Sequence, residues 1–312
     1  MKFRAVLLLS TVVTVVLSTV VVFVSKAAEP AKSSPAPRAF VDPKAARLVA
    51  STPTTPEAAP AIQLANISTR LAVGGGDNVL IAGFIITGTQ PKRVIVRALG
   101  PILPVKENLA DPTLELHDST GGVVTNDNWR DSQQEELQAT TIPPPNDYDS
   151  SIVQSLQPGA YTAVVSGKGG TTGVGLVEVY DLDRTVDSKL ANISTRGRVD
   201  QGDNVLIAGT IVLGNGTTTV LFRALGFSTG IPGRLLDPTL ELHDGQGGVV
   251  ATNDNWQDNP VDAEAIKKTT IPPDDSRESA ILQSLTPGAY TAIVRGKNNT
   301  TGIAVIEAYQ LN

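Results

Sequence analysis

One stretch of this chain is written twice. Asp111-Pro-Thr-Leu-Glu-Leu-His-Asp118, then Gly121-Gly122-Val-Val and Asn126-Asp-Asn-Trp129, returns between Asp237 and Trp256. Each copy reads as a strand, a tight turn, a second strand and a polar loop. Other echoes surround it. Leu64-Ala-Asn-Ile-Ser-Thr-Arg70 recurs from Leu190, Gly76–Gly83 recurs as Gly202–Gly209, and Arg97-Ala-Leu-Gly100 recurs as Arg223–Gly226. The offset of about 126 residues is far longer than a solenoid unit, so each copy is expected to be a domain that closes its own core.

Within the first copy, short β-branched runs predict strands at about 64–70, 77–87, 92–99, 112–118, 122–126, 151–156, 160–166 and 173–181. Helical patterning is confined to Ser132–Thr140 and, in the second copy, Val261–Lys268. Eight strands in so few residues predict an all-β chain of two tandem antiparallel sandwiches, jelly-roll or Greek-key-like, spanning 62–183 and 188–312. Leu156-Gln-Pro-Gly-Ala-Tyr161 and its partner Leu285–Tyr290 have the spacing of a tyrosine corner, in which a Tyr hydroxyl bonds back to the backbone.

The chain has 312 residues, no cysteine and a net charge of −6. That excludes disulfides, thiolate chemistry and a basic face for nucleic acid. Lys2 and Arg4 precede an apolar run from Ala5 to Val24, and Ser25-Lys26-Ala27-Ala28 follows with small residues suited to cleavage after Ala27. Residues 1–28 are therefore a signal peptide or, because the run could cross a bilayer, an uncleaved membrane anchor. Residues 29–61, rich in Pro and Ala, read as an extended spacer, interrupted by an apolar arm at Phe40–Val49.

Catalytic constellations are hard to build here. Leu114 and Leu116 share one strand face, so His117, and likewise His243, is expected on the solvent face. Two histidines, one per copy, cannot make a His-based triad or a multi-His metal site within one domain. The acidic loops are richer. Asn126, Asp127, Asp131 and Asp149, with Asn253, Asp254, Asp258 and Glu278, are oxygen donors that calcium could take as a cofactor. Equally, they could form Asx turns and helix caps. Trp129 and Trp256 either stack on a ligand such as a sugar or plug the core ends. Arg97 and Arg223 lie in apolar strands, as do Glu178 and Glu307. Structural ion pairs Arg97–Glu178 and Arg223–Glu307 are expected. Asn66, Asn192, Asn215 and Asn299 head glycosylation sequons.

The second half of each copy resembles the bacterial pre-peptidase C-terminal domain. The likeness rests on Asp111–Asp118, Gly121-Gly122, Asn126-Asp127, Ser151-Ile152, Pro158-Gly159-Ala-Tyr161 and Thr172-Gly173, and on Asp237 to Gly302 in the second copy. It implies small, non-catalytic β-sandwich appendages of secreted proteins, in some cases calcium-bound or collagen-binding. No peptidase accompanies them here, and the opening of each copy is not the family's usual one.

These readings converge on an exported, non-enzymatic structural or adhesive protein, extracellular or on the cell surface. Its expected partners are other surface proteins, polysaccharide or copies of itself, with membrane contact only through an uncleaved N-terminal segment. Alternatives are a carbohydrate-binding module, calcium-dependent or not, and a filament subunit whose Phe40–Val49 arm completes a neighbour's sheet. A carboxylate hydrolase would require two carboxylates facing each other in a cleft.

Overall fold

The computed structural model describes residues 61–76, 78–202 and 204–311. The signal or anchor, nearly all of the spacer and the Phe40–Val49 arm lie outside them. Among the described residues, sixteen strands follow one another. The first repeat carries β1 (Gln63–Val73), β2 (Leu80–Thr87), β3 (Lys92–Leu99), β4 (Pro112–Asp118), β5 (Val123–Asn126), β6 (Ser150–Leu156), β7 (Gly159–Gly167) and β8 (Gly173–Asp181). The second carries β9 (Lys189–Val199), β10 (Leu206–Leu213), β11 (Thr218–Leu225), β12 (Pro238–Asp244), β13 (Val249–Asn253), β14 (Ser279–Leu285), β15 (Gly288–Gly296) and β16 (Gly302–Gln310). Two short helices, α1 (Gln134–Ala139) and α2 (Pro260–Lys268), interrupt them.

Period-2 patterning explains the strands. In β2, Leu80, Ala82, Phe84 and Ile86 point inward while the residues between them are half-exposed. Hairpin turns are closed by a side chain. Asp118 accepts from the backbone N–H of Thr120 at 2.7 Å and Gly122 at 2.9 Å, and Asp244 does the same for Gln246 and Gly248. The tyrosine corners form: Tyr161 donates to the Gln157 carbonyl at 2.7 Å and Tyr290 to that of Thr286 at 3.0 Å.

The first repeat contributes β1-β8-β3-β6 to one sheet and β2-β7-β4-β5 to the other, which is the strand order of a jelly roll. The second repeat contributes the equivalent sets. The all-β antiparallel sandwich is thus the fold. Separate closure of the two cores is not, and that expectation is corrected. β1 pairs with β10 and β2 with β9, so both sheets run unbroken through both repeats as β13-β12-β15-β10-β1-β8-β3-β6 and β14-β11-β16-β9-β2-β7-β4-β5. A single apolar cluster, from Leu64 and Ile67 through Phe84 to Phe222 and Ile306, fills the space between them. A lone jelly roll would leave its first and second strands as open edges; here each repeat's edges are capped by the other's.

A pseudo-twofold axis passes through this seam. At its centre the hydroxyls of Thr69 and Thr195, equivalent in the two repeats and both fully buried, share a hydrogen bond of 2.8 Å. Ile62, at the start of the body, accepts at its carbonyl from the Gln310 side-chain amide at 3.2 Å, so both ends of the body meet beside the seam.

The threonine pair gives a direct check. Replacing one hydroxyl leaves the other buried without its partner, so Thr69→Val or Thr195→Val alone should cost about 1–3 kcal/mol, whereas the double variant should recover most of the loss. Urea titration of the four proteins reads the coupling, and strictly additive single losses would contradict this arrangement.

Candidate functional site

A third layer lies on the outside of each sheet. Residues 127–149 leave β5 and cross to the outer face of β3, β6 and β8; residues 254–278 do the same over β11, β14 and β16. Under these flaps lie the charged residues singled out in the sequence. Arg97 and Glu178 stand opposite each other in the β3–β8 ladder and are buried. The Arg97 Nε donates to Glu178 Oε2 at 3.0 Å, one terminal nitrogen also bonds that oxygen, and the other donates to the Ile142 carbonyl at 2.9 Å. Arg223 and Glu307 repeat this, with Arg223 reaching the Ile271 carbonyl at 2.8 Å. Tyr180 and Tyr309 lie beneath the guanidinium groups at 5.0 and 5.3 Å. Burial and the Glu307 carboxylate hold the Tyr309 phenol protonated. Each arginine therefore fastens a flap to its sheet.

The flap side of this clasp is Thr140-Thr-Ile-Pro-Pro144, repeated as Thr269–Pro273, a motif the sequence reading passed over. Thr140 caps α1, its hydroxyl on the Leu137 carbonyl at 2.6 Å. Thr141 and Thr270 take positive φ, 65° and 66°, unusual for a β-branched residue, and reverse the chain so that Ile142 or Ile271 turns down onto the sheet.

The eight candidate calcium donors do not converge. The Asn126 amide oxygen accepts from Ser151 N at 2.8 Å, and that of Asn253 from Ala280 N at 2.9 Å. Asp131 and Asp258 accept from Asn128 and Asn255, each at 3.0 Å. Asp149 accepts from the backbone of Gly100 at 3.0 Å and Asn146 at 3.2 Å. Glu278 gathers the N–H groups of Gly226 and Ser228, both at 2.9 Å. Asp127 and Asp254 pair with Lys168 and Lys297 at 2.7 Å, and the same ammonium groups lie 3.7 and 3.6 Å from Asp111 and Asp237. One oxygen of each of these four aspartates is buried and unpaired, but a lysine already supplies the positive charge between them. Among the described residues no group of three or more potential protein ligands is gathered for a metal.

Asp149 and Glu278 explain the glycine that ends each Arg-Ala-Leu-Gly motif. The loop carbonyls of Leu109 and Leu235 press so close that a Cβ on Gly100 or Gly226 would lie 1.9 or 2.1 Å away, while the glycine N–H is held by the carboxylate. Burial pushes the Asp149 carboxyl up to about 6, against the pull of its backbone hydrogen bonds.

Trp129 and Trp256 are corrected as ligand-stacking residues. They are 3% and 5% exposed, packed with Leu137 and Ile142 and with Ala263 and Ile266, and their indole N–H groups bond the Asn146 and Asp275 carbonyls at 3.0 Å. The loop that follows folds back over each ring and leaves no face for a sugar. His117 is half-exposed and bonds Glu115 at 2.8 Å. His243 is buried, contrary to expectation. A bulge between Leu242 and His243 turns its ring toward the hairpin, where it meets Glu241 at 3.1 Å and approaches the Gly247 carbonyl. Of the sequons, Asn66 and Asn192 are buried in central strands, whereas Asn215 and Asn299 are exposed on turns.

A concavity of about 320 Å³ opens at the seam between α1 and β10. Tyr180, Leu182, Ile211 and Leu213 make an apolar floor, with Arg93 and Arg184 at the rim. Arg93 is spent on Glu136 at 2.8 Å. Beside the floor, Lys92 bonds Asp181 at 2.9 Å, both fully buried; Thr218 and Gln310 occupy the matching places in the second repeat.

No family model matches the sequence, and no curated protein does. Among solved structures, a DUF4785 family protein from Legionella pneumophila aligns over 83% of this chain and 69% of its own, at 10% identity and a TM-score of 0.23.

Two tests follow from the flap chemistry. Glu178→Ala strands a buried guanidinium and should cost about 3–5 kcal/mol, with faster amide exchange across residues 137–142; unchanged protection there would separate the pair from the flap. The raised folded-state pKa of Asp149, about 6, makes its contribution greatest at low pH. Native stability relative to Asp149→Asn should fall as pH rises from the ordinary carboxylate range to about 6, then level off. A flat or rising difference would refute it.

Proposed function

We propose that this chain is an exported, non-enzymatic structural or adhesive module that works at the cell surface or beyond it. The observation that carries this reading is the use of its buried charge. Arg97, Glu178, Arg223, Glu307, Asp149 and Glu278 are all committed to fastening loops onto sheets. Groups in that state are poor acids, bases or nucleophiles, because moving a proton would break the clasp they form. Two other features support the reading. Both sheets are continuous, so load applied at one end passes through backbone ladders to the other. The spacer joins the body beside the seam, which leaves both outer ends free to meet partners. The resemblance to pre-peptidase C-terminal domains, which are non-catalytic appendages, is in keeping with this.

Protease treatment of intact producing cells is the test. The body should be cleaved or released from whole cells, or recovered from the medium. Full protection until the cells are lysed would end the proposal.

A further inference from the structure

The two repeats differ in the loop that follows β3 in the first and β11 in the second. In the first repeat, the loop after β3 is closed by Asn108, whose amide donates to the carbonyls of Pro101 at 3.0 Å and Leu103 at 3.3 Å. Ala110 and Tyr148 flank it. In the second repeat the same four positions hold Phe227, Arg234, Leu236 and Arg277. Both guanidinium groups lie against the ring of Phe227, Arg234 at 4.8 Å and Arg277 at 3.7 Å from its centroid. Arg277 is neutralised by Asp275 through contacts of 2.8 and 3.0 Å. Arg234 makes no side-chain hydrogen bond or ion pair among the described residues, and its Nε–H is buried without an acceptor. Leu236, on the same loop, is 55% exposed.

The fold does not require this. Asn108 closes the matching loop with two ordinary hydrogen bonds, while Arg234 leaves a donor unpaired and brings a second cation to one ring, both of which cost stability. An anion bound by the terminal nitrogens of Arg234, which unlike Nε are not buried, would offset the second of these costs. We propose that Arg234, supported by Phe227 and Arg277, forms a binding site for the carboxylate groups of an acidic polysaccharide. The inference rests on the surface-module reading above and names its ligand class. A planar guanidinium matches a carboxylate bidentately, and the exposed Leu236 offers apolar surface to the C–H face of a sugar ring. Asp275, Asp237 and Glu278 stand near Arg277, and the chain is acidic overall, so attraction is local rather than long-range.

The experiment is calorimetric titration of the full chain, in detergent if the apolar segment requires it, with polygalacturonate, neutral dextran and dextran sulfate. Polygalacturonate should bind, neutral dextran should not, and binding should weaken as salt rises. Arg234→Gln should weaken it at least tenfold with a melting temperature no lower than that of the parent, Arg234→Lys should fall between, and Lys106→Gln, on the matching loop of the first repeat, should change nothing. No binding of polygalacturonate, full-strength binding by Arg234→Gln, or binding of dextran sulfate alone would each overturn the site. Protease access on intact cells is independent of these results, so loss of the site would leave the surface reading standing.

Discussion

Two strand edges in each repeat have nowhere to go, and the architecture follows from that. A jelly roll made from one copy would end in β1 on one sheet and β2 on the other, both long and both carrying rows of unpaired N–H and C=O groups. Such edges invite aggregation unless they are shortened, charged or covered. The second copy covers them with its own equivalents. β1 against β10 and β9 against β2 are the same joint made twice, related by the axis through Thr69 and Thr195. This accounts for the near identity of Leu64–Arg70 with Leu190–Arg196 and of Gly76–Gly83 with Gly202–Gly209: a seam built twice needs each half to fit the other.

Flap fastening is the second constraint. The crossing from β5 to β6 carries polar backbone over an outer sheet face, and its carbonyls need donors. An aliphatic pair at Arg97 and Glu178 would bury well but could not reach the Ile142 carbonyl. The arginine does both jobs, because its fork takes the glutamate on one side and the flap on the other. Buried ion pairs are seldom the most stable choice. Here the pair specifies where the flap lies, and Trp129 or Trp256 then seals the gap between flap and sheet.

Individual strands were legible because period-2 patterning and Gly, Pro and Asp at the turns mark them locally. The eight expected segments of the first repeat match β1 to β8 to within about three residues at either end. Pairing across repeats was not legible. Gly76–Gly83 and Gly202–Gly209 are the same eight residues, so as a partner for β1 nothing in the pattern distinguishes the near copy from the far one. The acidic loops left two readings open, cation ligation and turn capping, for a different reason. An aspartate that binds a cation and one that collects backbone N–H groups have the same composition, and only the fold shows that Asp149 reaches Gly100 across 49 residues. Thr140–Pro144 carried a signal that could have been found, since it is repeated word for word, but its role depends on a positive φ that no propensity assigns to threonine.

A pseudo-symmetric body separates structure from function in its own sequence. Where the repeats agree, a shared structural demand suffices: the seam, the clasp, the corner and the turn. Where they part, the fold has shown that it can do without the feature. Lys92 and Asp181 become Thr218 and Gln310, so a buried charge pair is dispensable at that site. Gln133, at the N-terminus of α1, holds both backbone groups of Val153 on the β6 edge, whereas the residue at the N-terminus of α2 is Asn259, which caps that helix instead. These exchanges trade one satisfied arrangement for another. The exchange of Asn108 for Arg234 is of another kind, because it replaces two hydrogen bonds with an unpaired cation and a buried N–H that has no acceptor. A change that worsens the local account without helping the fold is the sort that selection keeps only for something outside the chain.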